Sequence, residues 1–159
     1  MRVNDVMTKQ VVCVRAEDRA SAAAQIMWEC DCGAVPVVGQ DDRIVAIVTD
    51  RDICMASFFH DASPSAISVS QAMSKELHFC SPEDSVATAE QLMRAHQIRR
   101  LPVLDGSGRL VGVLSLADIA RLGHRDKGRQ RELAPDQITA TLAGICSPRQ
   151  QATPGTIQA

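Results

Sequence analysis

With 159 residues the chain has the size of one compact body, which argues against a multi-domain machine. Hydrophobic residues make up 45% and charged residues 23%, a mix that excludes a disordered, collagenous or coiled-coil chain. Seventeen basic against nineteen acidic residues give a formal charge of −2, and aromatic residues amount to 3%, so the field and the stacking platforms of a nucleic-acid binder are both missing.

Residues 1–5 lack the apolar stretch of a signal peptide and no run approaches eighteen apolar residues, so the chain reads as cytoplasmic, with no membrane partner. The first predicted element is the short apolar run Val11-Val12-Cys13-Val14. A helix follows over residues 20–30, opened by an acidic cap at Asp18, with Ala23, Ile26, Met27 and Cys30 at helical spacing. Residues 34–38 and 44–48 are β-branched runs around a five-residue turn and predict a hairpin; Pro36 predicts an edge position, a strand start or a bulge. A helix from Thr49 to about Phe59 comes next, then a loop holding four serines and Pro64.

The same order then returns. Residues 3–53 align without a gap on residues 69–119, each position mapping to its number plus 66, and fourteen of the 51 pairs are identical. A unit of about fifty residues is too small to bury a sufficient core alone. The pattern therefore predicts two copies, 1–59 and 69–124, joined by a linker over 60–68 and closing their apolar faces against each other. The second copy predicts a helix from Asp84 or Ser85, strands over 101–104 and 110–114 around Asp105-Gly106-Ser107-Gly108, and a helix from Ser115. Within the terminal segment 125–159, residues 135–146 predict a last helix with Ile138, Leu142 and Ile145 on one face, followed by a polar tail.

The candidate site is Thr49-x-x-Asp52, duplicated as Ser115-x-x-Asp118, each where a strand runs into a helix. One reading is a capping box, in which the hydroxyl accepts from a helix amide and the carboxylate answers back. The other is a ligand site, in which the helix start and hydroxyl hold an anion while the carboxylate accepts from the two hydroxyls of a ribose. Duplication does not choose between them, since caps duplicate too.

These segments, together with Asp5-Val6-Met7 and Gln71-Ala72-Met73 at the openings and Ala34-Val35-Pro36-Val37 and Arg100-Leu101-Pro102-Val103 in mid-repeat, resemble two cystathionine-β-synthase (CBS) motifs in tandem, a Bateman module. The resemblance covers residues 3–119. It implies an α+β (α/β-type) fold of two β-α-β-β-α units packed as a pseudo-symmetric pair. Between them it implies two clefts for adenosine-containing ligands such as AMP, ADP, ATP or S-adenosylmethionine. By that resemblance Asp52 and Asp118 hold ribose, Thr49 and Ser115 help hold phosphate, and the purine lies beside Val12, Val35 and Pro36 on one side and His78, Leu101 and Pro102 on the other. It further implies a non-catalytic regulatory role, a homodimer formed through helices and a protein partner that receives the signal. The ending 144–148 resembles that of stand-alone pairs of the hypoxic-response-protein type, implying a chain without an attached enzyme.

The two copies differ where a ligand would lie. Arg99 and Arg100, able to fork onto phosphate, replace Gly33 and Ala34, and Gly112, which permits close backbone approach, replaces Ala46, so the clefts are expected to bind unequally. Cys30-x-Cys32 lacks the second pair of a structural zinc site, and packing thiols or a redox-responsive, ligand-free dimer are the alternatives. His60, His78, His96 and His124 show no nucleophile partner. The basic run from Arg121 to Arg131 reads as a solvated linker more than a nucleic-acid contact.

Overall fold

The structure, a computed structural model, describes residues 1–41, 43–125 and 135–148, without the side chains of residues 123–125 and 135. A 3-10 turn over Val3–Asp5 precedes β1 (Val14–Arg15), α1 (Ala20–Glu29), β2 (Ala34–Val38), β3 (Ile44–Thr49) and α2 (Asp50–His60). The second half holds α3 (Val69–Ala72), α4 (Val86–His96), β4 (Arg100–Leu104), β5 (Leu110–Ser115), α5 (Leu116–Arg125) and α6 (Pro135–Cys146). Both hairpins are antiparallel, and both shift register at the same place, Val37/Val38 and Val103/Leu104. The expected β-α-β-β-α order is complete in the first repeat; in the second its leading strand is reduced to a single parallel bridge between Cys80 and Val103, followed by α4, β4, β5 and α5.

The two repeats trade their opening segments. Val3 donates its N–H to Asp84 O at 2.9 Å, and at the positions 66 further on Val69 donates to Asp18 O at 2.8 Å. Likewise Val86 donates to Met1 O and Ala20 to Ile67 O. Thr8 exchanges both backbone bonds with Val113, each 2.9 Å, while Ser74 donates to Ile47 O at 2.9 Å. The side chains follow the backbone. Val3 is fully buried among Val86, Leu101, Val103, Leu114 and Ile119 of the second repeat, and Ile67 and Val69 lie in the first repeat's core with Val14, Val35, Val37 and Val48. Each fully buried Val contributes about 2 kcal/mol of transfer free energy. Each repeat's core is therefore completed by residues that precede the other.

Local details correct several sequence expectations. Only Val14–Arg15 of the first apolar run becomes strand, pairing in parallel with Val37 and Val38, because Val11 and Val12 have left the sheet. The cap of α1 is Arg19, without a side-chain bond; Asp18 instead turns back to accept from Arg15 N at 2.7 Å, as Asp84 does from Ser81 N. Pro36 lies in β2, the central strand of the order β1-β2-β3, and faces Ile47. Ile47 uses its N–H and C=O on Ser74, so this is a pair without mutual hydrogen bonds and no donor is missed at the proline. Gly112 sits where a Cβ would meet Met7 Sδ at 2.6 Å and Thr8 O at 2.8 Å. Its missing side chain makes room for the exchanged N-terminal segment, not for a ligand. In the turn of β4 and β5, Ser107 Oγ, Ser107 N and Arg109 N all donate to Asp105 Oδ1, which holds that carboxyl below its usual range.

The core is aliphatic throughout. Trp28, Phe58, Phe59 and Phe79, all four aromatic residues of the chain, are exposed. Cys80 is buried beside β4, and burial, reinforced by the Asp84 carboxylate, pushes its thiol up to about 12.

Gly112→Ala is expected to lower the unfolding free energy by about 2 kcal/mol by prising off the N-terminal segment, whereas Gly106→Ala, which meets nothing within 4 Å, changes it by less than about 0.5 kcal/mol. Urea denaturation of the two variants measures the difference. For Cys80 the folded state holds its proton more tightly than the unfolded chain does. Its contribution is therefore intact below about pH 9 and declines as pH rises toward 12. Urea midpoints taken from pH 8 to 10.5 should fall, and fall less in Cys80→Ala.

Candidate ligand-binding site

Each end-of-strand motif forms a closed capping box. Thr49 Oγ1 accepts from Asp52 N at 3.2 Å, while Asp52 Oδ2 accepts from Thr49 N at 2.9 Å and from Thr49 Oγ1 at 2.7 Å. Ser115 and Asp118 repeat the arrangement at 2.8 Å for Ser115 N, 2.5 Å for the hydroxyl and 3.2 Å for the return bond. The chain needs a hydroxyl here because the strand ends where helix amides lack partners. Capping is thus a real role of both motifs, and it engages one carboxylate oxygen of each.

The two boxes differ in what surrounds them. Asp118 is 8% exposed, and Arg121, one turn further along α5, donates to its Oδ1. The position equivalent to Arg121 in the first repeat is Met55, so Asp52 has no such neighbour on its helix. Three of the roughly four lone-pair sites of the Asp118 carboxylate are occupied, which leaves one on Oδ1 for an incoming hydroxyl.

Ser115 and Asp118 open onto a cavity of about 720 Å³, a volume within the range of small-molecule sites. Its apolar lining comes from Val12, Val35 and Pro36 of the first repeat, from Val113 and Leu116 of the second and from Ile138 and Leu142 of α6. Arg99, Arg100 and Arg121 line the wall together with Asp31 and Asp118; Arg121 reaches the Asp118 carboxylate, and the Arg100 guanidinium borders Gly33 beside Asp50. The exposed Arg99 and half-buried Arg100 are carried by the extended segment that enters β4. A cavity lined by apolar side chains, a carboxylate and forked cations has groups suited to a flat ring, a polyol and an anion.

Seven of the expected site residues, Val12, Val35, Pro36, Arg99, Arg100, Ser115 and Asp118, meet around this cavity. The other five do not line it. Thr49 and Asp52 stay with their own helix, and Leu101 and Pro102 are buried in the second repeat, with Pro102 O accepting from Cys80 N. His78 stacks on His96, ring centroids 3.6 Å apart, instead of contributing to this cavity. Sequence reasoning missed Arg121, assigned to a solvated linker, although its spacing of three from Asp118 on one helix was a usable signal. The rest of that basic run, Arg125, Lys127, Arg129 and Arg131, lies outside the described side chains. It also missed Cys30, Cys32, Ile138 and Leu142 as cavity residues, since nothing local relates residue 142 to residue 32.

The chain matches the model of the CBS domain twice, over residues 3–58 and 69–125. It is 33% identical over 144 residues to Hypoxic response protein 1 of Mycobacterium tuberculosis, covering 91% of this chain and 93% of that one. It is 40% identical over 118 residues to the CBS domain-containing protein YhcV of Bacillus subtilis, covering 74% and 82%. Among solved structures, Hypoxic Response Protein I with two coordinated zinc ions matches with a TM-score of 0.69 at 35% identity, over 76% of this chain and 98% of that one. Among the described residues here, no group of three or more His, Cys, Asp or Glu side chains is placed to hold a metal ion. The same fold recurs in CBSX2 in complex with AMP, with a TM-score of 0.69 at 22% identity over 80% and 98% of the two chains. It recurs again in a CBS domain pair bound to 5′-methylthioadenosine and S-adenosylmethionine, with a TM-score of 0.71 at 22% identity over the same shares. Among the described residues no helix is long and apolar enough to cross a membrane. The duplicated fold, the exchanged openings and the cleft between the repeats have one common explanation: this chain belongs to the CBS-domain family, a tandem pair of non-catalytic regulatory modules.

Proposed function

We propose that the chain is a sensor that binds an adenosine nucleotide in the cavity at Asp118 and passes the resulting change of shape to a protein partner in the cytoplasm. The observation that carries this reading is the convergence, in one cavity, of the Asp118 carboxylate, an apolar strip at Val12, Val35 and Pro36, and three arginines. The purine packs on the strip, a ribose hydroxyl donates to Asp118 Oδ1, and Ser115 with Arg99, Arg100 and Arg121 faces the phosphate. That AMP and S-adenosylmethionine occupy proteins of this fold supports the ligand class. The excess of guanidinium over carboxylate on the wall favours AMP, ADP or ATP over the cationic sulfonium of S-adenosylmethionine. Ligand bias works by unequal affinity for two shapes of the pair, so the signal needs no chemistry.

Two asymmetries make Asp118 the main site. Asp52 has Met55 where Asp118 has Arg121, and Gly33 and Ala34 stand where Arg99 and Arg100 do. A second copy of the chain is the expected companion. Trp28 is 87% exposed on α1 and Phe58 and Phe59 are each 74% exposed on α2, aromatic surface that association would remove from water.

A thermal-shift and calorimetric comparison of AMP, ADP, ATP, NAD and S-adenosylmethionine should show binding by the first three. Asp118→Ala should weaken it by at least about tenfold with only about 1 kcal/mol of stability lost through the cap. Asp52→Ala should cost similar stability and little affinity. Unchanged nucleotide affinity in Asp118→Ala would reduce the motif to a cap. For the companion, sedimentation analysis of Phe59→Glu and Trp28→Glu should show a shift from dimer to monomer at micromolar concentration, while their helical circular dichroism stays native.

A further inference from the structure

Helix α6 is built into the second repeat by features the first repeat lacks. Thr141, 1% exposed, donates its hydroxyl to Glu90 Oε1 at 3.0 Å, and Glu90 on α4 is itself only 3% exposed. Gly144 lies against the aliphatic stem of Arg94, where a Cβ would come within 3.1 Å of Cγ. Gln97 Nε2 donates to Ser147 O at 2.7 Å, and Ile145 is buried in the second core. The positions that correspond to Glu90 and Arg94 in the first repeat are Ala24 and the exposed Trp28, so α4 carries a surface suited to a helix and α1 does not.

The same helix turns two apolar side chains, Ile138 and Leu142, into the cavity that holds Ser115 and Asp118. Leu142 remains 46% exposed, which leaves apolar surface for an occupant to cover. Across the cavity stand Cys30 and Cys32 of the first repeat. We propose that α6 is a movable third wall of this cavity, that Ile138 and Leu142 are specificity-determining contacts, and that release of α6 from α4 is the change a partner reads. The choice of nucleotide as occupant rests on the preceding reading; the role of α6 as a wall does not. A ligand touching Ile138 and Leu142 holds the helix on α4, and by reciprocity a helix that docks less well binds the ligand less well. Thr141→Val strips the partner from the buried Glu90, which favours the undocked state in which that carboxylate meets water.

The test uses the full chain, with hydrogen exchange across residues 138–146 and alkylation resolved by peptide at Cys30 and Cys32. Cys54, exposed on α2 away from the cavity, serves as the control. Thr141→Val is expected to speed exchange in α6 and to raise Cys32 alkylation several-fold with Cys54 unchanged. Saturating AMP or ATP is expected to slow both in the wild-type chain, and Thr141→Val to weaken nucleotide binding by about tenfold, a coupling of usual size. Faster exchange in α6 with Cys32 alkylation unmoved overturns the wall, as does nucleotide binding that leaves α6 exchange unaltered. If neither AMP nor ATP binds but Cys32 alkylation follows the helix, the wall stands and the nucleotide reading fails. Should Thr141→Val not loosen the helix, Leu142→Asp decides: its side chain is half exposed, so the fold is kept, and unchanged Cys32 alkylation together with unchanged nucleotide affinity rejects the proposal.

Discussion

The constraint on which this structure depends is the exchange of opening segments between the two repeats. A fifty-residue unit with a two- or three-stranded sheet and two helices cannot enclose its own apolar face. Val3 and Val69 close the deficit, each donated to the other repeat's core and held there by the backbone bonds to Asp84 and Asp18. Each repeat lends the other a part of its core, so neither core is complete without the other repeat. The space between the halves is then lined by two interlocked repeats and is not a crevice between independent domains.

That exchange also makes the cavity. Once residues 1–8 have crossed to pair with Val113, the chain must return to the first repeat before β1, and Val11 and Val12 span the gap. They lie outside the strand and line the cavity onto which Asp118 opens. The glycine at 112, which makes the crossing possible, therefore acts on the cavity through the N-terminal segment and not by touching what binds there.

The backbone order of helix, hairpin and helix repeats, and the symmetry is broken mainly in the side chains. Both motifs at the ends of β3 and β5 close the same capping box, yet Asp118 has Arg121 one turn along its helix where Asp52 has Met55, and Arg99, Arg100 and Arg121 line the cavity onto which Asp118 opens. Helix α6 adds a second asymmetry, because Glu90 and Gly144 fit it to α4 while Trp28 stands bare on α1. A duplicated scaffold has thereby acquired one specialised side, where charge, apolar side chains and a docked helix meet, and one side whose aromatic residues are exposed.

Much of this was legible along the chain. The period of 66 residues, the helices at 20–29 and 86–96, both hairpins and the helix at 135–146 follow from local apolar spacing, turn residues and caps, all of which act over a few residues. The motifs at 49–52 and 115–118 were visible too, as was their dual reading as cap or ligand contact. Tertiary structure alone decided which residues share the cavity at Asp118, since that brings together side chains about a hundred residues apart, such as Val12 and Asp118 or Cys32 and Leu142. It also decided that Asp18 bends back to Arg15, that Pro36 sits in a central strand, and that His78 stacks on His96. The physical reason is the same in each case: periodicity reports which face of an element is apolar, but which other face it meets is set by how the two halves interlock.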